Sequence, residues 1–185
     1  MRPVPSLAAV LVALAPLFAA MAAPPLAAAE PRSEAPATAA ASDQARKGSG
    51  LPVPRFASMR SDEVNVRAGP GTRYPVEWVF QRRNMPVEVV AEFDTWRRIR
   101  DWQGTTGWVH QSMLVGKRNM VVTAPQAALL RTPEPGAAPV ARLEAAVQGE
   151  ILSCKGGWCR IRVQNHRGWI ERAAIWGVYP DETLD

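Results

Sequence analysis

Three observations predict an all-β protein made of two tandem small β-barrels. Four blocks of residues recur in the same order, about 64 positions apart. Short β-branched or aromatic segments alternate with Gly-, Pro- and Asn-bearing turns after residue 54. In that region no stretch of a dozen residues keeps helical apolar spacing without a Gly or Pro interrupting it. A length of 185 residues leaves room for one ordinary domain or two small ones. The expected organisation is a leader (1–29), a linker (30–54), two β units (55–117 and 118–178) and a short tail (179–185).

The leader reads as a secretory signal. Arg2 and the amino terminus supply positive charge, and Ser6 to Ala22 is an apolar run without a charged residue. Ala27 and Ala29 place small residues at −3 and −1 of a cut before Glu30. A cut after Ala23 would put Pro24 at +1, which favours cleavage between Ala29 and Glu30. The alternative is a retained membrane anchor; Pro16 and the alanine richness argue against it. No cysteine precedes Cys154, so a lipid-modified amino terminus at such a cut is excluded. The expected location is the periplasm or the exterior, with no membrane span after signal removal.

Residues 30–54 are rich in Ala, Pro and Ser with scattered charge, a composition that cannot bury enough surface to offset ordering entropy. They are expected to form a disordered tether. Within them, Leu51-Pro52-Val53-Pro54-Arg55 is proline-rich and is read as an edge strand entering the fold rather than a self-docking ligand. Lys plus Arg number 22 and Asp plus Glu 17, a formal +5; losing Arg2 with the leader leaves +4. The arginines are dispersed, which gives a mild preference for anionic partners without a nucleic-acid-binding tract.

The repeat defines the two units. Val64-Asn65-Val66-Arg67 aligns with Ala128-Leu129-Leu130-Arg131, and Pro75-Val76 with Pro139-Val140. Trp96-Arg97-Arg98-Ile99-Arg100 aligns with Trp158-Cys159-Arg160-Ile161-Arg162, and Gly107-Trp108-Val109 with Gly168-Trp169-Ile170. Five-residue strands joined by short turns, in units of roughly sixty residues, suit a closed or half-closed barrel that limits exposed edges. Gly69-Pro70-Gly71 is expected to supply positive φ in an irregular loop. Gly107 and Gly168 mark close backbone approaches. Trp108 and Trp169 are assigned to the core or the barrel rim.

Val64-Asn65-Val66-Arg67-Ala68-Gly69-Pro70-Gly71-Thr72-Arg73-Tyr74-Pro75-Val76 resembles the signature of bacterial SH3-like (SH3b) domains. Trp96-x-x-Ile99 followed by Gly107-Trp108-Val109 continues the pattern. The second unit keeps Trp158-x-x-Ile161 and Gly168-Trp169-Ile170, but has Leu129 for the Asn and Pro133-Glu134-Pro135-Gly136 for the Gly-Pro-Gly turn. The resemblance implies SH3-type barrels that serve as binding or targeting modules for the cell envelope.

Cys154 and Cys159 flank a four-residue turn, Lys155-Gly156-Gly157-Trp158, between two expected strands. Such a hairpin sets them opposite one another, and in an oxidising compartment they are expected to form a disulfide. The short loop limits its entropic stabilisation to about 2 kcal/mol.

No catalytic constellation emerges. Bridged thiols are not nucleophiles, and His110 and His166 fall at non-equivalent turn or strand-end positions. Asp94 and Asp101 are read as turn residues, and Glu88 and Glu92 as lacking acidic counterparts in the second unit. Two cysteines and two histidines do not make a closed zinc site of common spacing, so no metal and no cofactor is expected. The candidate ligand surface is the strand face that alternation exposes. It comprises Trp96, Arg98 and Arg100 with Trp102 in the first unit, and Trp158, Arg160 and Arg162 in the second. Indole planes beside guanidinium groups suit acidic peptides or glycans. The function expected is non-catalytic recognition of peptidoglycan or of a periplasmic protein segment, with no nucleic acid as partner. The alternative is an adaptor that localises or activates a separate cell-wall hydrolase.

Overall fold

The structure is a computed structural model, and residues 48–185 are described here. The expected leader, its cut between Ala29 and Glu30, and most of the tether lie outside the described residues. The first unit comprises β1 (Arg55–Met59), β2 (Val64–Arg67), β3 (Val76–Phe80), β4 (Pro86–Phe93), β5 (Trp96–Arg100), β6 (Thr106–His110) and β7 (Leu114–Val115). The second comprises β8 (Asn119–Val122), β9 (Gln126–Leu130), β10 (Pro139–Glu144), β11 (Gln148–Lys155), β12 (Trp158–Val163), β13 (His166–Glu171) and β14 (Ile175–Trp176). The first sheet runs β3-β2-β6-β5-β4-β1-β7 and the second β10-β9-β13-β12-β11-β8-β14. Adding seven to each label of the first order gives the second, so the sequence repeat is a topological repeat.

Closure depends on one long strand in each unit. β4 pairs with β5 and also with β1, while β11 pairs with β12 and also with β8. Each long strand carries a register shift at the same place, between Val89 and Ala91 and between Ile151 and Ser153. A bulge there bends the strand, so its two ends can serve different parts of a curled sheet. Each unit then encloses its own core. Met59, Val64, Val66, Val87, Ile99 and Val109 are buried in the first; Met120, Leu129, Ile151, Ile161 and Ile170 are buried in the second.

Cys154 and Cys159 form a disulfide. The turn between them is tighter than expected, because Lys155 pairs with Trp158 and only Gly156 and Gly157 remain at the tip. Gly156 takes φ +56°, which its lack of a Cβ permits. Cys154 also exchanges backbone hydrogen bonds with Leu184, at 2.8 and 3.0 Å. The carboxy-terminal residues are therefore docked on the second barrel rather than trailing from it.

The inward faces hold a difference between the repeats. In the first barrel Glu92 stands opposite Arg97, the register position that Cys154 and Cys159 occupy in the second. Arg97 is 3% exposed, and its Nε lies 3.0 Å from Glu92. Its Nη1 donates to the Asp94 carbonyl at 2.7 Å and its Nη2 to Gln111 Oε1 at 2.7 Å. A buried charge is tolerated only when paired and hydrogen-bonded, and Arg97 is both. One repeat thus staples this hairpin with an ion pair and the other with a covalent bond.

The two barrels pack together. The Asn119 side-chain amide donates to Ser58 Oγ at 2.8 Å, and Ser58 Oγ donates to the Lys117 carbonyl at 2.8 Å. Phe56 meets the Trp176 ring edge-on at 4.9 Å and the Tyr179 ring at 4.7 Å, with the Arg118 guanidinium 5.5 Å from its centroid. Phe56 is buried by these contacts. Tyr179 donates its hydroxyl to Glu88 at 2.9 Å, adding a polar tie between the barrels.

Several local expectations are corrected. Gly69 and Gly71 are not among the positive-φ residues. The constraint on Gly69 is steric, since a Cβ there would stand 2.6 Å from the Tyr74 ring. Glu88 does have an acidic counterpart, because it pairs with Arg100 as Glu150 pairs with Arg162. The end of the expected tether is anchored as well. The Ser49 backbone N–H and hydroxyl both donate to Glu92, at 2.5 and 2.7 Å. Leu51 to Pro54 is exposed and carries no strand; β1 begins only at Arg55.

Candidate binding surfaces

Directly opposite residues of antiparallel strands share a face. On the first barrel Trp96, Arg98 and Arg100 lie opposite His110, Trp108 and Thr106. On the second, Trp158, Arg160 and Arg162 lie opposite Glu171, Trp169 and Arg167. Arg98 is thus set against Trp108, and Arg160 against Trp169, at equivalent positions. The alternation that put Ile99 and Ile161 inside has put these residues outside. Trp108 and Trp169 are half-buried on this outer face, neither core nor solvent-clear.

The arginines of this face are not equivalent to one another. Arg100 is ion-paired with Glu88, and Arg162 donates to Glu150 at 3.0 Å, so both carry an internal carboxylate partner. Arg98 and Arg160 are exposed, and Arg98 Nη2 reaches only Thr106 Oγ1 at 3.5 Å. Trp102 stands apart from the strand face, half-buried in the loop after β5. There Asp101 Oδ1 accepts from the Gln103 and Thr105 amides, at 3.0 and 2.8 Å, as a turn aspartate should. The shorter Gln164-Asn165 turn of the second barrel has no equivalent of Trp102.

His110 is half-buried, with Nδ1 2.7 Å from Ser112 Oγ and its ring edge-on to Trp96 at 5.6 Å. It caps the short 3₁₀ turn Gln111–Met113. Asp94 sits at φ +50° in the tight turn before β5, and His166 is exposed at the start of β13. Among the described residues, no group of three His, Cys, Asp or Glu side chains is placed to hold a metal ion.

A second surface arises where the docked tail meets the second barrel. A groove of about 860 Å³ is lined by Trp158, Glu171, Ile175, Val178 and Asp181, with the Gly156-Gly157 tip at one end. Arg172 builds its wall. This buried guanidinium donates through Nη1 to the carbonyls of Tyr179, Pro180 and Glu182, at 2.6, 2.9 and 2.8 Å. Glu182 in turn accepts from both terminal nitrogens of Arg118, at 2.6 and 2.8 Å. Burial pushes the Glu182 carboxyl upward, but the Arg118 and Tyr179 hydrogen bonds outweigh it and hold the group below the usual carboxylate range. Burial raises the Tyr179 hydroxyl, and its hydrogen bond to Glu88 raises it further, so it remains a donor across the ordinary pH range. Alternation along a strand could not reveal this groove, because tail residues without strand pattern form one wall.

No helix among the described residues is long and apolar enough to cross a membrane. The family description "Bacterial SH3 domain" matches residues 60–116 and, separately, residues 123–177. No curated protein matches the chain. Among solved structures, NlpC2 of Trichomonas vaginalis is 13% identical, over 68% of this chain and 49% of that one, with a TM-score of 0.32. NlpC1 of the same organism is 15% identical, over 70% and 48%, also with a TM-score of 0.32. An NlpC/P60 family protein of Bacillus cereus is 13% identical, over 65% and 55%, with a TM-score of 0.30. The chain spans about half the length of each of these.

Proposed function

The chain belongs to the bacterial SH3 domain family in two consecutive copies, and from that premise we propose that it is a non-catalytic binding protein of the cell envelope. Its ligand is peptidoglycan, whose stem peptides carry carboxylates, or a segment of a periplasmic partner protein. The observation that carries this reading is the outward tryptophan–arginine pair, Arg98 with Trp108 and Arg160 with Trp169, repeated at matching register. A guanidinium offers a carboxylate two parallel donors, and an adjacent indole offers a face for stacking. The disulfide fits an oxidising compartment outside the cytoplasm. Because the barrels are packed on one another, a ligand long enough to span both pairs gains the second contact as an intramolecular event.

The absence of catalysis is part of the proposal. The two thiols are joined, His110 is engaged in capping, and Glu88, Glu92 and Glu150 are held by arginines. The test is co-sedimentation of the full chain with purified wall sacculi. Retention that weakens with added salt is expected, together with loss of most retention in Arg98→Ala/Arg160→Ala. Retention unchanged in that double variant, or release of soluble wall fragments, would overturn the reading; no retention by the native chain would exclude peptidoglycan as the ligand and leave the partner-protein segment.

A further inference from the structure

The carboxylate–arginine pair that the two barrels share is not used alike in both. In the first, Glu88 serves Arg100 through both Nε and Nη2. In the second, Glu150 is divided: its Oε2 meets Arg162 Nη1 at 3.0 Å, while its Oε1 meets Lys117 Nζ at 3.3 Å. Arg162 Nε is left buried with no hydrogen-bond partner among the described residues. A buried donor in that position calls for a reason, and its surroundings supply one. Arg162 borders a cleft of about 270 Å³ between the barrels. Arg83 reaches this cleft from the β3–β4 turn, Lys117 from the connector between the barrels, and Gln148 and Glu150 from β11. Three cations thus line it against one carboxylate. Asp62 lies 3.5 Å from Arg83, but with side chains 78% and 58% exposed the two form a surface pair of little strength. Even with Asp62 counted, three cations face two acids. Hydrogen-bond donors are in excess as well. The Gln148 amide nitrogen meets only the Met85 thioether at 3.2 Å, a weak acceptor, and the Lys117 ammonium, with three N–H bonds, is paired with Glu150 alone.

We propose that this cleft binds a phosphate monoester, with Arg83, Lys117 and Arg162 supplying the positive charge and the Gln148 amide a further donor. Such a group brings three acceptor oxygens and about two negative charges at neutral pH. A carboxylate brings one charge and two oxygens, and Glu150 already provides that much from within. The volume is below that of a pocket for a drug-sized molecule and suits one charged group with its nearest atoms. Neither barrel forms the site by itself. Lys117 falls between residue 116, where the first family match ends, and residue 123, where the second begins. In the first barrel the free oxygen of Glu88 accepts from the Tyr179 hydroxyl rather than from a second cation, so the arrangement has no copy there. The proposal requires neither Arg98 nor Arg160, and so goes beyond the function proposed above.

The test is an amide-resolved NMR titration of the full chain with methyl phosphate, and in parallel with dimethyl phosphate and acetate, at matched ionic strength and neutral pH. The expected result is a saturable shift of the Asn84, Lys117 and Gly149 amides and of the Gln148 side-chain amide with methyl phosphate. Dimethyl phosphate and acetate, each with a single charge, should bind about tenfold or more weakly. Arg83→Gln/Lys117→Gln changes two exposed side chains and should weaken methyl phosphate about tenfold or more. Arg98→Ala/Arg160→Ala should bind methyl phosphate as the native chain does, which separates this site from the wall-binding surface. Equal affinity for methyl phosphate and acetate would overturn the proposal without recourse to any variant. So would shifts centred on Arg98 and Arg160, unchanged affinity in Arg83→Gln/Lys117→Gln, or the absence of saturable shifts up to about 10 mM methyl phosphate.

Discussion

A methyl group placed on Gly168 would stand 2.6 Å from the Leu130 carbonyl oxygen and 2.8 Å from the Leu129 side chain. At Gly107 the obstacle is softer, the Val66 side chain at 2.3 Å and the Trp78 ring at 2.9 Å. These glycines let β13 and β6 cross their neighbours closely enough for the sheet to curl. Gly168→Ala is accordingly expected to destabilise the protein by about 2 kcal/mol, since a backbone atom must move to make room. Gly157→Ala meets nothing within 4 Å and needs no positive φ, so it should leave the urea midpoint nearly unchanged. Equal midpoints for the two variants would refute this steric reading. Glu92 poses a residue-scale problem in electrostatics. Burial works to raise its pKa, but hydrogen bonds from Ser49 and Arg55 prevail and hold it below its reference value of 4.5. A carboxylate with a depressed folded pKa adds stability that is complete above the unfolded value and is lost as pH falls through the folded one. Glu182 behaves in the same way. The urea midpoint should thus stay flat from neutrality to about pH 5 and decline below it, and Glu92→Gln should make that decline shallower.

At the scale of the hairpin, the two repeats solve one problem with different chemistry. The strand pair β4–β5 and the strand pair β11–β12 share every register position, the bulge included. If the Glu92–Arg97 position is geometrically equivalent to the disulfide position, Glu92→Cys/Arg97→Cys should oxidise to a second bridge. Thiol titration of the oxidised, denatured variant should then find no free cysteine; two free thiols would show that the hairpins differ. Replacing both native cysteines by serine should cost about 2 kcal/mol from the short loop alone. The loss should also be felt in the tail, because Leu184 hydrogen-bonds to the backbone of Cys154. Hydrogen exchange at Leu184 is the sensitive readout. The sequence already showed this hairpin and its sulfur pairing, since two cysteines flank the short segment Lys155-Gly156-Gly157-Trp158 between two strand-like runs. Alternation set Arg97 on the face of Ile99, but it could not show what would satisfy the charge there, because Gln111 reaches Arg97 only once β6 has paired with β5.

At the scale of the whole molecule, the junction decides whether the barrels act as two beads or one body. Phe56 leaves the first barrel to pack on Trp176 and Tyr179, while Ser58 and Asn119 share a buried hydrogen bond. The native chain is therefore expected to unfold in a single transition. Phe56→Ala, which vacates the centre of this contact at a cost of about 3 kcal/mol, should split the transition in two. Calorimetry distinguishes the outcomes, and a single undivided peak in the variant would place the coupling elsewhere.

The repeat, the all-β character, the disulfide and the outward Trp–Arg faces were legible from residue order, because alternation along a strand and the spacing of turns are local properties of a chain. The docking of the tail, the packing of Phe56 across the junction and the groove beside Trp158 were decided by tertiary structure. Each joins residues whose proximity depends on how the sheets curl: Arg118 to Glu182, Arg172 to the carbonyls of residues 179, 180 and 182, and Phe56 to Tyr179. No local pattern encodes such contacts, for their free energy comes from burial and charge pairing that exist only once the barrels have closed.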